Sequence, residues 1–260
     1  MDLHLKDKVA IVTGGSRGLG EAICLGLAAE GVKVAINYYR DLAGGVDFVD
    51  EATRVAQRIK AECGAEALPV PGDVSRVDDV RKMFDLAETA FGPVDVLVNN
   101  AGVWPAAYVK DMTDRQWKST LDVNLTGPFF TCREAVRRWL AAGRGGRIVN
   151  VTSQAAFHGS TSGHAHYAAS KAGLVTFSIS LAREVAPDGI HVNLVAPGVI
   201  ATEMARDAIE KDRQRYIERI PLRRIAEADE VADVIVFLAS GRAGYMTGAT
   251  VDVTGGMLMR

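Results

Sequence analysis

The chain has 260 residues, 48% hydrophobic and 24% charged, which is ample apolar material for a sizeable core. Its net charge of −2 and pI near 6.2 exclude a nucleic-acid or anionic-membrane binder that works through a basic surface. Three widely spaced cysteines, Cys24, Cys63 and Cys132, exclude a disulfide framework and fit a reducing compartment. The first eight residues mix acids and bases where a signal peptide needs an apolar run, and no uncharged segment reaches spanning length. A cytoplasmic protein is expected, with no membrane and no nucleic-acid partner.

Lys8 to Thr13 is a short β-branched run, read as a strand buried on both faces. It enters Gly14-Gly15-Ser16-Arg17-Gly18-Leu19-Gly20 and then a helical pattern that Gly31 stops before a strand at Lys33 to Asn37. Strand, glycine turn, helix and strand make a βαβ unit, and such crossovers build parallel sheet. Alternation continues with a helix at Asp50 to Glu62, a strand at Ala67 to Val70, a helix at Val77 to Phe91 and a strand at Val94 to Val98. Asp114 to Leu140 reads as one long helix broken at Gly127-Pro128. Arg147 to Val151, Ile190 to Val195 and Ala249 to Val253 read as strands, Ala165 to Ala186 and Asp229 to Ala239 as helices. No linker or repeat interrupts this, so the expectation is α/β: one doubly wound Rossmann-type domain over 1–260, with about seven parallel strands and helices on both faces.

Three glycines between a strand and a helix let main chain approach a ligand, and the helix N-terminus favours an anion. Their spacing is Gly-x-x-x-Gly-x-Gly rather than the usual dinucleotide Gly-x-Gly-x-x-Gly. At the tip of the second strand a carboxylate would bind the adenosine 2′-hydroxyl, whereas an arginine suits a 2′-phosphate. This chain offers Asn37-Tyr38-Tyr39-Arg40 with no carboxylate before Asp41, and Arg17 lies in the turn itself. NADP(H) is therefore the expected cofactor, with NAD(H) left open.

Tyr167 and Lys171 stand four residues apart, so on a helix their polar tips leave one face a turn apart. The ammonium should favour the phenolate and make Tyr167 an acid/base for carbonyl reduction or alcohol oxidation. Upstream, Pro128 has no N–H to give the carbonyl of Asn124, four residues back. A kink that leaves this carbonyl free for water is the physical expectation.

Together and in order, Thr13-Gly14-x-x-x-Gly18-x-Gly20, Asn99-Asn100-Ala101-Gly102, Asn124, Ser153, Tyr167-x-x-x-Lys171 and Pro197-Gly198 resemble the short-chain dehydrogenase/reductase family, most nearly its 3-oxoacyl-acyl-carrier-protein reductases. The resemblance implies a catalytic set of Asn124, Ser153, Tyr167 and Lys171. Ser153 would polarise a carbonyl, Tyr167 would exchange the proton, and Lys171 would hold the nicotinamide ribose. Lys171 would also be resupplied with protons through water on Asn124. It also implies nucleotide contacts at Gly14, Arg17, Gly18, Leu19 and Gly20, at Tyr38 and Arg40, and at Asp73 and Val74. Further contacts are implied at Asn99, Ala101 and Gly102, and around the nicotinamide at Pro197, Val199 and Thr202. A homotetramer paired through the 114–140 and 165–186 helices is implied as well.

Departures from the family pattern fall around Leu42 to Asp50, where the chain is longer, and between Ser153 and Tyr167, one residue further apart than expected. Trp104, Ser153, Gln154, His158 and Tyr167 are expected to face substrate, beneath a lid at 200–224. His158, His164 and His166 lack a carboxylate or cysteine to complete a metal site, so no metal is expected. The leading function is reduction of a ketone or 3-oxoacyl thioester, the substrate being a small molecule or an acyl thioester. The alternatives are an NAD(P)-dependent sugar or polyol dehydrogenase and a non-catalytic nucleotide-binding regulator.

Overall fold

The computed structural model describes every residue except Thr161, Met204, Ala205 and Arg260, and leaves aside the side chains of Asp207 and Ala208. Seven parallel strands form the main sheet: β1 (Val9–Val12), β2 (Lys33–Tyr38), β5 (Ala67–Pro71), β6 (Val96–Asn99), β7 (Gly146–Val151), β8 (Ile190–Pro197) and β9 (Thr250–Val253). Their spatial order is β5-β2-β1-β6-β7-β8-β9. Strand order reverses between β1 and β6, which opens a crevice beyond their carboxyl ends. The missing pair, β3 (Arg40–Asp41) and β4 (Val46–Asp47), makes a separate antiparallel hairpin just past β2. It overlaps Leu42 to Asp50, the stretch expected to be longer than in the family that the sequence resembles.

The run Val9-Ala10-Ile11-Val12 is apolar throughout because both faces are covered. Ala10 and Val12 join a cluster with α1 (Gly18–Ala29), α2 (Val49–Cys63) and α10 (Ala228–Ala239). Val9 and Ile11 join the opposite cluster with α3 (Val77–Phe91), α5 (Gly127–Ala141) and α7 (Ala165–Val185). This is the expected doubly wound arrangement. No helix among the described residues is long and apolar enough to cross a membrane.

The helix expected from Asp114 to Leu140 departs from a simple kink. After α4 (Asp114–Leu121), residues Asp122–Thr126 form a π turn in which the Gly127 N–H reaches back to the Asp122 carbonyl. A wider turn absorbs the missing Pro128 donor without breaking the rod, and single π turns of this kind recur at functional sites.

A buried polar ladder ties the sheet to two helices. Thr131 donates to Asn99 Oδ1 at 2.6 Å, Asn99 Nδ2 to Asn150 Oδ1 at 2.8 Å, and Asn150 Nδ2 to Ser178 Oγ at 2.8 Å. It runs α5–β6–β7–α7 and so fixes the height of α7 against the strand ends. Removing a middle rung strands its neighbours without water. Asn150→Ala is expected to lower unfolding free energy by about 2 to 4 kcal/mol. Urea denaturation checks this, and a loss under about 0.5 kcal/mol, the scale of an ordinary surface change, would contradict it.

Candidate functional site

The glycine turn closes onto the ends of β1, β2 and β6 through two asparagines and a threonine. Asn37 Oδ1 accepts from Gly14 N at 3.2 Å, while its Nδ2 donates to Gly72 O at 3.1 Å and Val70 O at 3.3 Å. Asn100 Nδ2 donates to the carbonyls of Thr13 and Gly14, each at 3.1 Å. Thr13 Oγ1 accepts from the N–H groups of Asn100 and Ala101. Asn37, Asn100 and Thr13 thus shape the turn without belonging to the expected contact set. Their short polar side chains at strand ends were the available signal.

The turn fits a dinucleotide phosphate. Gly14 and Gly18 have φ of 62° and 55°, and a Cβ on Gly20 would lie 2.0 Å from the Gly14 carbonyl oxygen. Leu19 packs sideways onto the core, and the N-terminus of α1 has no capping side chain. An anion is the natural partner for uncapped first-turn N–H groups beside glycine main chain.

Other expected nucleotide residues divide. Ala101 sits against Gly14, and Gly102 faces Asn124 and Lys171, whose polar atoms would lie 3.3 Å and 3.6 Å from a Cβ built there. Thr202 lies over Gly18, and Pro197 accepts through its carbonyl from Gln154 N at 3.1 Å. Tyr38, in contrast, is a core residue, and the Asn99 side chain is committed to the polar ladder. Asp73 Oδ1 holds the N–H and hydroxyl of Ser75, Val74 is buried against Gly127, and Val199 joins the small core under the lid. Tyr38, Asn99, Val74 and Val199 can offer a ligand mainly backbone or apolar surface, whereas Asp73 keeps a carboxylate oxygen, Oδ2, beside the one that holds Ser75. Arg17 and Arg40 are both engaged: Arg17 lies 4.2 Å over the Phe48 ring, and Arg40 Nε donates to Asp47 Oδ2 at 3.1 Å.

Tyr167, Ser153, Lys171 and Asn124 meet at the other side of the crevice. Lys171 is buried and donates from Nζ to the Val151 carbonyl at 2.8 Å. Burial alone pulls its pKa down to about 8. Its Nζ is 5.8 Å from the centre of the Tyr167 ring. The expectation that Lys171 lowers the Tyr167 pKa is not what this chain by itself shows. Burial raises the phenol above its ordinary value, and a hydrogen bond with Ser153 opposes that rise. Desolvation of the phenolate outweighs a lysine that is itself poorly solvated. Asn124 is fully buried: Oδ1 accepts from Val103 N at 2.8 Å, and Nδ2 donates to Val103 O at 2.9 Å and Ser170 Oγ at 3.2 Å. Its side chain therefore locks the π turn to α7 and to the loop after β6.

On the substrate side, Trp104 stacks on His164 with ring centroids 4.3 Å apart and turns an edge to Tyr167 at 6.5 Å. His164 Nδ1 bonds the Pro105 carbonyl at 2.8 Å, so the wall is braced from behind. His158 ends the short helix α6 (Ala155–His158) and is exposed, whereas His166 is fully buried with neither ring nitrogen partnered among the described residues. The three histidines go three ways, and no three His, Cys, Asp or Glu side chains among the described residues could share a metal. Gln154 donates its main-chain N–H to the Pro197 carbonyl, and its side-chain Oε1 is buried with no partner among the described residues. The expected lid contains α8 (Arg206–Lys211) and α9 (Arg213–Arg219), seated on Ile209, Ile220 and Ile225.

Residues 14–258 match the family model described as enoyl-(acyl carrier protein) reductase. The chain is 40% identical over 253 residues to a 3-oxoacyl-[acyl-carrier-protein] reductase of Staphylococcus epidermidis, covering 97% of this chain and 100% of that one. It is also 40% identical to the Synechocystis enzyme of the same name, covering 98% of each. A short-chain type dehydrogenase/reductase from Mycobacterium marinum superposes with a TM-score of 0.92 at 32% identity, covering 100% of this chain and 98% of that one. L-sorbose reductase from Gluconobacter frateurii, solved with NADPH and L-sorbose, gives 0.91 at 31%, with complete coverage of both chains. The chain belongs to the short-chain dehydrogenase/reductase family and is an NAD(P)-dependent oxidoreductase.

Proposed function

We propose that this enzyme reduces the ketone of a 3-oxoacyl thioester with NADPH. The observation that carries the reading is the Ser153–Tyr167 hydroxyl pair, close enough for Ser153 to oppose the rise in the Tyr167 pKa, at a strand end beside a buried Lys171. Two adjacent O–H groups can both point at one carbonyl oxygen, which suits a ketone rather than an isolated carbon–carbon double bond. Full-length likeness to two 3-oxoacyl reductases supports the thioester. For the cofactor, Arg17 and Arg40, with no carboxylate on β2 itself, support the 2′-phosphorylated form.

A nicotinamide group supplies the hydride when bound, held by the glycine turn, the Ala101-Gly102 backbone and Lys171. Ser153 holds and polarises the carbonyl oxygen. Tyr167 gives that oxygen a proton as negative charge develops, a task its raised pKa favours because the phenol arrives protonated. Lys171 uses one N–H on Val151 and has others for the ribose and for Tyr167. Resupply through water on the Asn124 carbonyl is part of this reading. Pro128 offers that carbonyl no N–H, and the Asn124 side chain holds the turn rigid.

Exposed Trp117 and Phe129 on α4 and α5 support the proposed homotetramer contact, and a cytoplasmic location goes with the proposal. The L-sorbose reductase likeness keeps one other substrate class in view, a sugar or polyol. Steady-state turnover of acetoacetyl thioester, crotonyl thioester, L-sorbose and simple polyols separates the readings. Only the acetoacetyl thioester is expected to turn over well, and inactivity on every 3-oxoacyl thioester would overturn the proposal.

Tyr167→Phe is expected to lower kcat by about 10²- to 10⁴-fold while nucleotide affinity changes little, as measured by steady-state kinetics and fluorescence titration. Unchanged kcat would remove Tyr167 from the acid/base role. Lys171 gives a stability prediction of definite sign. Its folded pKa of about 8 is below the ordinary 10.5, so the unfolded chain binds more protons between those values and stability rises with pH there. Relative to Lys171→Met, the wild type should gain about 2 to 3 kcal/mol between roughly pH 7 and pH 10. Denaturation of both proteins across that range tests it; a flat difference would mean Lys171 titrates normally.

A further inference from the structure

The β3–β4 hairpin stands where the adenosine end of a nucleotide must pass. Gly15 N donates to Asn37 O and Gly72 N to Tyr38 O, so the end of β2 lies between the glycine turn and the Asp73 turn. Arg40 follows two residues later, directly opposite Asp47 in the hairpin register. Its Nε donates to Asp47 Oδ2 at 3.1 Å, and its guanidinium lies 5.4 Å above the Tyr38 ring, which the core holds still. The next residue, Phe48, carries the Arg17 guanidinium at 4.2 Å, and Glu203 of the lid approaches Arg17 at 3.8 Å. Both arginines suited to a 2′-phosphate are thus engaged by consecutive residues of one loop.

We propose that Asp47 sets the cofactor preference by holding Arg40 in an ion pair that a 2′-phosphate must displace. The proposal rests on the placement of the adenosine ribose at the tip of β2 made above. Charge around the tip supports it. Asp41, Asp47 and Asp73 stand against Arg17, Arg40 and Arg76, and Arg76 itself leans on Asp79 at 3.9 Å. A phosphate dianion entering here meets no surplus of positive charge until one carboxylate moves or is neutralised. A nucleotide with a free 2′-hydroxyl brings no charge to the same place and is indifferent to that pair. Asp47 therefore weakens one cofactor selectively, and the extra hairpin is a device that tunes preference between the two. The Arg40–Asp47 pair is partly solvated, which keeps its effect to the scale of a surface ion pair.

Fluorescence titration of NADPH and NADH against wild type, Asp47→Asn, Arg40→Gln and the double variant tests this, with melting temperatures to confirm folding. Asp47→Asn should tighten NADPH about threefold to tenfold and change NADH less than about twofold. Asp47→Ala, which truncates the side chain instead, should match it. The gain should vanish in the Arg40→Gln background. Weaker NADPH binding in both Asp47 variants, equal shifts for both nucleotides, or a gain that survives loss of Arg40 would each overturn the proposal. A wild type that prefers NADH overturns the NADPH reading instead, while the selective gain from Asp47→Asn still stands as the sign of the gate.

Discussion

A lysine ammonium buried against one main-chain carbonyl is the constraint around which this molecule is arranged. Lys171 Nζ holds the Val151 carbonyl, and no carboxylate offsets its charge among the described residues. Such a group is stable only where the surrounding framework is rigid enough to keep it there. The polar ladder from Thr131 through Asn99 and Asn150 to Ser178 supplies that rigidity by fixing α7 to the sheet. Thr152 adds a further tie, donating to the Lys171 carbonyl at 3.0 Å. In the proposed function the unneutralised charge has a chemical use, because a ligand with hydroxyl oxygens and a developing alkoxide would give it the partners the protein withholds.

Facing it, the glycine turn is rigid for a different reason. Gly14 and Gly18 hold left-handed backbone that favours glycine, and Gly20 leaves no room for a Cβ. Asn37 and Asn100 then bond the turn's main chain to three strand ends. The site is thereby a gap between two preorganised walls, the turn on one side and α7 on the other. The π turn at Asp122–Thr126 lies behind the second wall, where Asn124 joins it to both α7 and the loop carrying Trp104. The hairpin and the lid sit over the ends of this gap and touch each other through Arg17.

The sheet was readable in the sequence because burial on both faces writes unbroken apolar runs such as Val9–Val12, and because glycine and proline punctuate the helices. The four proposed catalytic positions were legible through the family resemblance, because the motifs that carry it occur together and in order. Contacts carried by backbone were legible only as positions: Asn99 and Tyr38 fall where a nucleotide is expected, yet their side chains turn inward. The β3–β4 hairpin was visible as surplus length, but a two-residue strand pair has too little periodicity to announce itself. The direction of the Tyr167 shift was misread, since spacing reveals that Lys171 is near but not that both groups are desolvated. The burial of His166, whose ring nitrogens have no partner among the described residues, likewise depends on tertiary packing that no local pattern encodes.

The central claim is that the two walls bring a hydride donor and a ketone together beneath Ser153 and Tyr167. Isotope transfer tests it most directly. NADPH deuterated at its transferable position, incubated with an acetoacetyl thioester and the enzyme, should deliver the label stereospecifically to the former carbonyl carbon. Mass spectrometry and NMR of the hydroxyacyl product read both features, and Tyr167→Phe should form almost none of it. Label in solvent, label split between both faces, or equal product from the Tyr167→Phe variant would contradict the account.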